Sequence, residues 1–397
     1  MFLLTLLIGA AAATLLLPTV SDLLSLARIA LGGRHQRVVA ARTDPRLLFL
    51  VPAHDEELLI ESCLASLGQL RYPRTRFDVV VIADNCTDQT AALAVAGGAR
   101  CLERTQPELR GKPHAIAWAL EQLGLAEYDA VVIVDADTVV DPDFATGLAA
   151  AAPLNGKAVQ GYNGVLNPED NAITRMAAVF ADAKGRFAHP LKARAGLNVP
   201  LRLGGCIGTS VLAEHGWNAF SIGEDWELYV LLTSSGIQIE GVDNARVYAQ
   251  EARSLRQSAS QRKRWTAGKL TVLWRLLPAM LRSRRLSAHQ KLDLIAELSG
   301  PGPAVHLGAA SFLAVASALL GVPGAGTLIF ALAAGVFRHA CYAFAALLVQ
   351  PRPWRAMLAF AVLPFYAAWR LGIEIAALRM LGDKPWVRTE RHRPAPG

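Results

Sequence analysis

The sequence predicts an α/β domain built on a mostly parallel sheet, with apolar helices before and after it that are long enough to enter a membrane. Three observations carry this. Between residues 45 and 250, short β-rich apolar runs alternate with longer helical patterns, the mark of strands joined by crossover helices. Three of those runs end in acidic residues. The composition is 53% hydrophobic, too apolar for a wholly soluble chain of 397 residues, and long uncharged stretches lie on either side of the alternating region.

Residues 1–27, MFLLTLLIGAAAATLLLPTVSDLLSLA, are apolar for about one bilayer thickness, and Asp22 is the only charge among them. They have neither a basic start nor a clear small-residue cleavage site, so residues 1–31 read as a retained transmembrane anchor rather than a signal peptide. Arg28, Arg34, Arg37, Arg42 and Arg46 follow at once. By the positive-inside rule they put the downstream region in the cytoplasm.

The cytoplasmic domain is expected over 45–265. RLLFLVPA ends a first strand and LLIESCLASLGQL continues as a helix. DVVVIAD is a second strand, followed by helical QTAALAVAGG, and the helix KPHAIAWALEQL leads into a third strand, AVVIVDAD. In open α/β sheets, ligands bind beyond the carboxyl ends of the strands. HDEE, DNCTD and DADT are therefore expected around one crevice.

Residues 266–300 set Leu270, Leu273, Trp274, Leu277 and Leu281 against Lys269, Arg275, Arg282, Arg284 and Arg285, the pattern of basic amphipathic helices lying on a membrane. From 304 to 349 the only formal charge is Arg338, and GVPGAG at 321–326 splits the run into a helical hairpin. A last apolar stretch from 356 is interrupted by Arg370, Glu374 and Arg379. It is expected in the interface, completing transmembrane and interfacial segments over 304–381, so that the basic tail 382–397 with Lys384, Arg388, Arg391 and Arg393 stays inside. The net charge of +7 clusters beside apolar segments, which favours anionic headgroups over nucleic acid. Five scattered cysteines with no CxxC pair suggest neither a zinc site nor a disulfide frame.

Several residues have chemistry to offer. Asp135 and Asp137, one residue apart at a strand end, suit a hard divalent cation with positions left for phosphate oxygens, although acidic residues also simply end strands. Asp84 stands where it can accept hydrogen bonds from a base or ribose, or form an ordinary Asx turn. Glu56 is either a ligand group or a carboxylate favoured by a helix dipole. Lys112 follows a glycine and opens a helix, so its ammonium and the helix N-terminus can together receive phosphate, or it is a solvated lysine. Glu224 and Asp225 begin another helix, as capping residues or as a base for an incoming hydroxyl.

Taken in order, VPAHDEE, ADNCTD, RGKPHA, DAD, GED and QRKRW resemble the successive motifs of membrane-bound, inverting family 2 glycosyltransferases of the cellulose-synthase and hyaluronan-synthase type, across residues 46–269. QGYNGVLNPEDN and RLGGCIGTS look most like bacterial exopolysaccharide glycosyltransferases. The resemblance implies a GT-A-like, Rossmann-type mixed sheet with flanking transmembrane helices. It implies that Glu56 and Asp84 hold the nucleotide's base and ribose, with Lys112 near the base or diphosphate. Asp137, helped by Asp135, would hold Mg2+ or Mn2+ on the diphosphate, and Asp225 would be the general base. Glu224 beside it would face the acceptor, Gln261 and Arg264 the diphosphate, and Trp265 would floor the acceptor site. Arg suits a diphosphate because its planar fork grips two oxygens, and Trp suits a sugar because a ring face stacks on C–H groups. Ala83 stands where the family commonly has a first acidic residue, and GGCIGTS replaces the processive synthases' cysteine-centred sequence.

The implied reaction moves one sugar from a nucleotide sugar, a UDP-sugar by resemblance, to a lipid-linked saccharide or lipid in exopolysaccharide or glycolipid synthesis. The implied setting is the inner membrane with several crossings, with exopolysaccharide assembly proteins as candidate partners. A processive polysaccharide synthase is the alternative within the same class. A non-catalytic membrane scaffold that binds nucleotide sugar is the alternative of another class.

Overall fold

The computed structural model of the protein describes residues 2–33 and 44–382. Arg34, Arg37 and Arg42, and the tail with Lys384, Arg388, Arg391 and Arg393, lie outside the described residues. The described chain forms two compact units. A sheet unit comprises 44–167 and 198–252, and a helical unit comprises 2–33, 168–197 and 253–382.

The sheet unit contains β1 (Leu47–Ala53), β2 (Phe77–Asp84), β3 (Arg100–Arg104), β4 (Ala130–Ile133), β5 (Thr138–Val140), β6 (Lys157–Val165), β7 (Gly205–Gly208) and β8 (Gln238–Ala249). They form one sheet in the order β3-β2-β1-β4-β7-β6-β8-β5. β1, LLFLVPA, is buried along almost its whole length, as a central strand covered on both faces must be. It pairs in parallel with β2 and β4, Leu50 lying opposite Val80 on one side and Ile133 on the other. β3 extends the parallel set beside β2, with Asp84 opposite Arg104. The core gathers Phe49, Phe77, Val81, Val132 and Phe144, and the Phe49 and Phe77 rings meet edge to face at 5.8 Å. Emptying such a buried aromatic position costs about 3–5 kcal/mol.

The three predicted strands and the helices between them are present, with helices at Ile60–Gly68, Thr90–Ala96 and Lys112–Gln122. The sheet is mixed, as the resemblance implies, with four of its seven strand pairings parallel. β7 runs antiparallel to both β4 and β6, and β5 antiparallel to β8. β7 is GCIG, buried at every position, so glycines rather than a hydrophobic period mark it and the alternation rule has nothing to read.

In the helical unit, Phe2–Ala30 is one helix of 29 residues, about 43 Å at 1.5 Å per residue. By length and composition, three helical stretches among the described residues suffice to cross a membrane: Leu3–Ala30, Ala325–Leu348 and Pro353–Met380. A fourth arises if Ala288–Ser299 and Pro303–Leu319, bent by 93° at their break, count as one span. The break holds Pro301, and Pro303 opens the second helix; neither has an N–H to continue the helical ladder. The stretch after 356, expected in the interface, thus forms part of a helix of crossing length. Its charges are accommodated by pairing, Arg370 reaching Glu374 at 3.1 Å one turn on. Asp22 likewise accepts from Arg338 Nε at 2.6 Å and from the Tyr342 hydroxyl at 2.7 Å. Phe312, Phe330, Phe337 and Phe365 face outward, apolar side out and polar side in, which suits a lipid surround.

The same unit holds a buried ion network. Lys192 Nζ lies 2.7 Å from Asp293 and 2.6 Å from Glu297, and Lys184 lies 3.1 Å from Glu297. The Ser21 hydroxyl donates to Asp293 at 2.7 Å, tying the first helix to the network.

Candidate active site

The first two strand ends are fastened to each other. Directly beyond β1 and β2, Asp55 and Asn85 take φ values of 53° and 51°, a left-handed conformation that Asp and Asn tolerate better than other non-glycine residues. The chain can turn sharply there, and the loops then interlock. Thr87 N–H donates to Asp55 Oδ1 at 2.7 Å, and Glu56 N–H donates to Thr90 Oγ1 at 2.8 Å. His54 Nδ1 lies 2.7 Å from the Asp84 carbonyl, which can only accept, so Nδ1 carries the proton.

Asp84 is buried. Its Oδ1 accepts from Arg104 and from Asn85 Nδ2 at 2.8 Å, and its Oδ2 accepts from Gly111 N–H at 3.4 Å. These bonds take three of the carboxylate's four acceptor positions and leave one on Oδ2. Arg104, the residue opposite in the sheet register, also donates to Gln106 Oε1 at 2.9 Å and to the Leu109 carbonyl at 2.8 Å. It thereby shapes the loop that ends at Gly111. Gly111 has φ 114° and ψ 156°, a conformation open essentially to glycine alone. That turn places Lys112 as the first residue of the next helix.

Lys112 is where the separate motifs meet. Its ammonium lies 2.9 Å from Asp135 Oδ1, 3.1 Å from Glu224 Oε1 and 3.6 Å from Asp225 Oδ1. Asp135 follows β4, while Glu224 and Asp225 open the helix Glu224–Ser234, whose dipole favours carboxylates in the first turn. RGK, DAD and GED thus converge on one point. One lysine faces three carboxylates, a local charge of −2 with all four groups ionised. Burial opposes the Lys112 charge, but Asp135, Asp225 and Glu224 outweigh it and hold the ammonium well above the ordinary lysine range. For Asp225, burial pushes the carboxyl up to about 7; Lys112 opposes this, and Glu224 and Asp135 reinforce it. A carboxyl titrating there can exchange a proton at neutral pH.

Asp137 lies two residues beyond Asp135, partly buried in the short turn that leads into β5. Gln261, Arg264 and Trp265 belong to the helical unit, within about one turn of the helix Leu255–Arg282. Trp265 is exposed; Gln261 and Arg264 are partly buried.

Among the described residues, the only three acidic, His or Cys groups with ligand atoms mutually within 4.8 Å are Asp55, Cys86 and Asp88. Their groups serve the loops instead. Asp88 accepts from the Glu57 and Thr90 amides at 3.1 and 2.9 Å, and burial pushes the Cys86 thiol up to about 11, leaving it protonated at neutral pH.

Reading the sequence alone missed three residues that organise this site: Arg104, Gln160 and Arg202. Buried Gln160 accepts the Arg202 N–H on Oε1 at 2.5 Å and donates to the Leu203 carbonyl at 3.0 Å, fixing the turn ahead of β7. The only sequence signal for Arg104 was a charged residue ending an otherwise unassigned strand.

An open mixed sheet of this order, with Asp135, Lys112, Glu224 and Asp225 brought together past its strand ends, defines a GT-A-like fold. Residues 45–268 match the model of the family described as Glycosyltransferase like family 2, and the chain belongs to that family. Among curated proteins it is 25% identical over 257 residues to the probable glycosyltransferase YdaM of Bacillus subtilis, covering 61% of this chain and 59% of that protein. It is 24% identical to glucomannan 4-beta-mannosyltransferase 7 of Arabidopsis thaliana (62% and 47% covered) and 27% identical to the beta-monoglucosyldiacylglycerol synthase of Nostoc sp. (59% and 51% covered). The chain thus spans roughly half the length of the curated relatives it matches. Among solved structures it resembles the mannosyltransferase PcManGT of Pyrobaculum calidifontis, solved in complex with GDP-Man and Mn2+, with TM-score 0.56 and 20% identity over 94% of this chain and 98% of that one. That likeness is one of fold.

Proposed function

We propose that the protein transfers a single sugar, with inversion, from a nucleotide sugar to a membrane-associated acceptor, a lipid-linked saccharide or a lipid. The observation that carries this is the convergence of Asp135, Glu224 and Asp225 on Lys112, which brings a candidate metal ligand and a candidate base to one point. The Asp225 carboxyl, raised to about 7 by burial beside that point, supports transfer over binding alone. Asp225 takes the proton from the acceptor hydroxyl as that oxygen attacks the anomeric carbon, and the nucleoside diphosphate leaves from the opposite face. Lys112 serves the base or diphosphate of the donor, and Glu224, beside the base Asp225, faces the acceptor. Arg104 and Asp84 keep the Gly111 turn shaped to present Lys112. Glu56 and Asp84 serve the base and ribose, Gln261 and Arg264 the diphosphate, and Trp265 the acceptor.

The residues fit a divalent cation, because Asp135 and Asp137 offer hard carboxylate oxygens and Asp135 shares the Lys112 ammonium with two further carboxylates. Mg2+ or Mn2+ bound there supplies charge neutralisation for the diphosphate. The stretches of crossing length support placement in a membrane, which we assign as the inner membrane with the sheet unit cytoplasmic. A relative named for making a glucosyldiacylglycerol supports a lipid acceptor.

The test is to purify the full chain in detergent, supply labelled UDP- and GDP-sugars with Mn2+ and lipid acceptors, and follow nucleoside diphosphate release and product length. We expect a product extended by one sugar in the inverted configuration. Long polymer from one donor would establish a processive synthase instead, and donor binding without transfer or hydrolysis would establish a scaffold.

A further inference from the structure

We propose that Arg175, Arg352 and Arg355 form a binding site for the phosphate of an anionic membrane lipid, at the corner where two helical stretches of crossing length meet. The inference rests on the placement of the chain in a membrane and is independent of the sugar-transfer reading.

The corner is the short connection between Ala325–Leu348 and Pro353–Met380. A turn between two crossings lies at a membrane surface, level with the lipid headgroups, whichever way the chain is inserted. It is firmly seated. Val179 and Ala183 pack with Ala343 and Ala346 ahead of the turn and with Ala356 after it, and Gln350 within the turn donates to Asp182 Oδ2 at 2.5 Å. Glu169 reaches the same corner from just ahead of the helix Ala172–Asp182, whose start is fixed by a capping box between Asn171 and Thr174.

One carboxylate oxygen there draws three guanidiniums. Glu169 Oε2 lies 3.0 Å from Arg175 Nη2, 3.6 Å from Arg352 Nη1 and 3.9 Å from Arg355 Nη1. Only the first is within hydrogen-bond distance. Arg175 Nε is buried and has no hydrogen-bond partner among the described residues. The neighbouring carboxylates are engaged elsewhere, Asp170 with Arg253 Nε at 2.6 Å and Asp182 with Arg186 Nε at 2.6 Å as well as with Gln350. Glu169 is 49% exposed, and exposed ion pairs are worth only about 0–1 kcal/mol, so it holds its place weakly against a better anion. A phosphate is that anion, since its several oxygens can be gripped in pairs by the planar forks of more than one arginine.

The surroundings favour a lipid over a free anion. Trp354 is exposed, the Arg355 guanidinium lies over its ring at 5.2 Å, and Met357 and Leu358 are exposed beyond it. A free anion needs the arginines alone. A lipid needs apolar surface directly beside them for its acyl chains, and a tryptophan with arginines at a helix end is the arrangement found at headgroup level.

For the test, the full chain is reconstituted in nanodiscs holding phosphatidylglycerol and phosphatidylcholine in equal amounts, and the lipids that stay bound on release are counted by native mass spectrometry. The wild type is expected to retain phosphatidylglycerol over phosphatidylcholine, whose choline neutralises its own phosphate, by about tenfold, the worth of one hydrogen bond to a charged group. Arg352→Gln together with Arg355→Gln is expected to bring the ratio to about one, and the corresponding pair of Lys substitutions to restore part of it. Glu169→Gln removes the competing carboxylate and is expected to raise the ratio about threefold, a gain that no loss of folding can imitate. Arg282→Gln, which removes an exposed arginine elsewhere in the helical unit, is expected to leave the ratio unchanged. Equal retention of the two lipids by the wild type overturns the proposal. So does a fall in Arg282→Gln as large as that in the double variant, which would assign the preference to diffuse basic charge. If millimolar inorganic phosphate raises the thermal midpoint in neutral detergent as much as short-chain phosphatidylglycerol does, the site is one for a free anion and the lipid reading is overturned. Release of the chain from membranes by alkaline carbonate would remove the membrane placement on which the site rests, whereas a chain that stays in the membrane and shows no preference loses the site alone.

Discussion

Two lysines in this protein each gather carboxylates, and the two clusters differ in how the charges balance. In the helical unit, Lys192 and Lys184 face Asp293 and Glu297, two positive against two negative. The Ser21 hydroxyl occupies a further acceptor position, and Lys192 and Asp293 are each only 4% exposed at the side chain. In the sheet unit, Lys112 alone faces Asp135, Glu224 and Asp225, and Asp225 is 38% exposed. The first cluster is closed, with its charges matched; in the second, which is open, three carboxylates share the one ammonium in contact with them. A buried ion pair is tolerated when its charges and hydrogen bonds are matched. At the second cluster burial, reinforced by Glu224 and Asp135, holds one acid high, and the open carboxylates leave room for a cation; both properties belong to a working site.

The largest expected effect comes from removing the acid that burial raises. Asp225→Asn is expected to lower kcat about 100-fold to 10,000-fold while the thermal midpoint holds or rises, as measured by diphosphate release and unfolding in detergent. A variant that loses activity through unfolding would break the contrast. Next in size, Lys192→Met strips the cation from two buried carboxylates and is expected to cost about 3–5 kcal/mol of stability in denaturant titration. Added Mn2+ should restore none of it, since that cluster is closed. Lys112→Met is expected to cost less in metal-free buffer, about 1.5–3 kcal/mol, the worth of hydrogen bonds to charged groups. Here millimolar Mn2+ should recover most of the loss and raise the midpoint more than in the wild type. Equal responses to Mn2+ in the two lysine variants would erase the distinction between a structural and a functional cluster.

The difference between the clusters also bears on what the sequence could reveal. Asp135, Asp225 and Lys112 stand in short motifs at strand ends and helix starts, where local pattern alone raised the question of chemistry. β1, β2 and β4 were legible for a similar reason, since strands buried on both faces read as unbroken apolar runs. What was not legible depends on pairing across the chain. Arg104 matters because sheet register sets it opposite Asp84, and register is not written in the alternation of one strand. Gln160 and Arg202 are 42 residues apart and meet only once β6 and β7 are adjacent. Lys192 and Asp293 are 101 residues apart, and neither falls in a motif. The strands β5 and β7 went unassigned because β5 has three residues and β7 is half glycine.

The smallest expected effect concerns pH, and there the clusters should behave differently across the same window. Asp225 in the folded protein is raised to about 7 from an ordinary value of 3.8. The native state therefore holds a proton that the unfolded state has released, and the contribution of this group to stability is complete below about pH 4 and lost as pH rises through about 7. Lys192 is also raised, by Asp293 and Glu297 against the effect of burial, so its contribution is present below the ordinary lysine value of 10.5 and stays flat from pH 4 to 9. Metal-free unfolding midpoints should thus show a shallow decline between about pH 4 and 7 that Asp225→Asn removes and a Lys192 variant keeps. Activity should move the other way over those pH units, because only the ionised carboxylate can accept a proton, and kcat/KM for the acceptor is expected to rise tenfold per pH unit on the acid side of about 7. Opposite slopes for stability and activity are what a base held in its protonated form by its own fold requires. A wild-type curve parallel to that of Asp225→Asn from pH 4 to 8 would mean the carboxyl titrates like a solvated one, and Lys112 would then neutralise its surroundings as fully as Lys192 does in the helical unit.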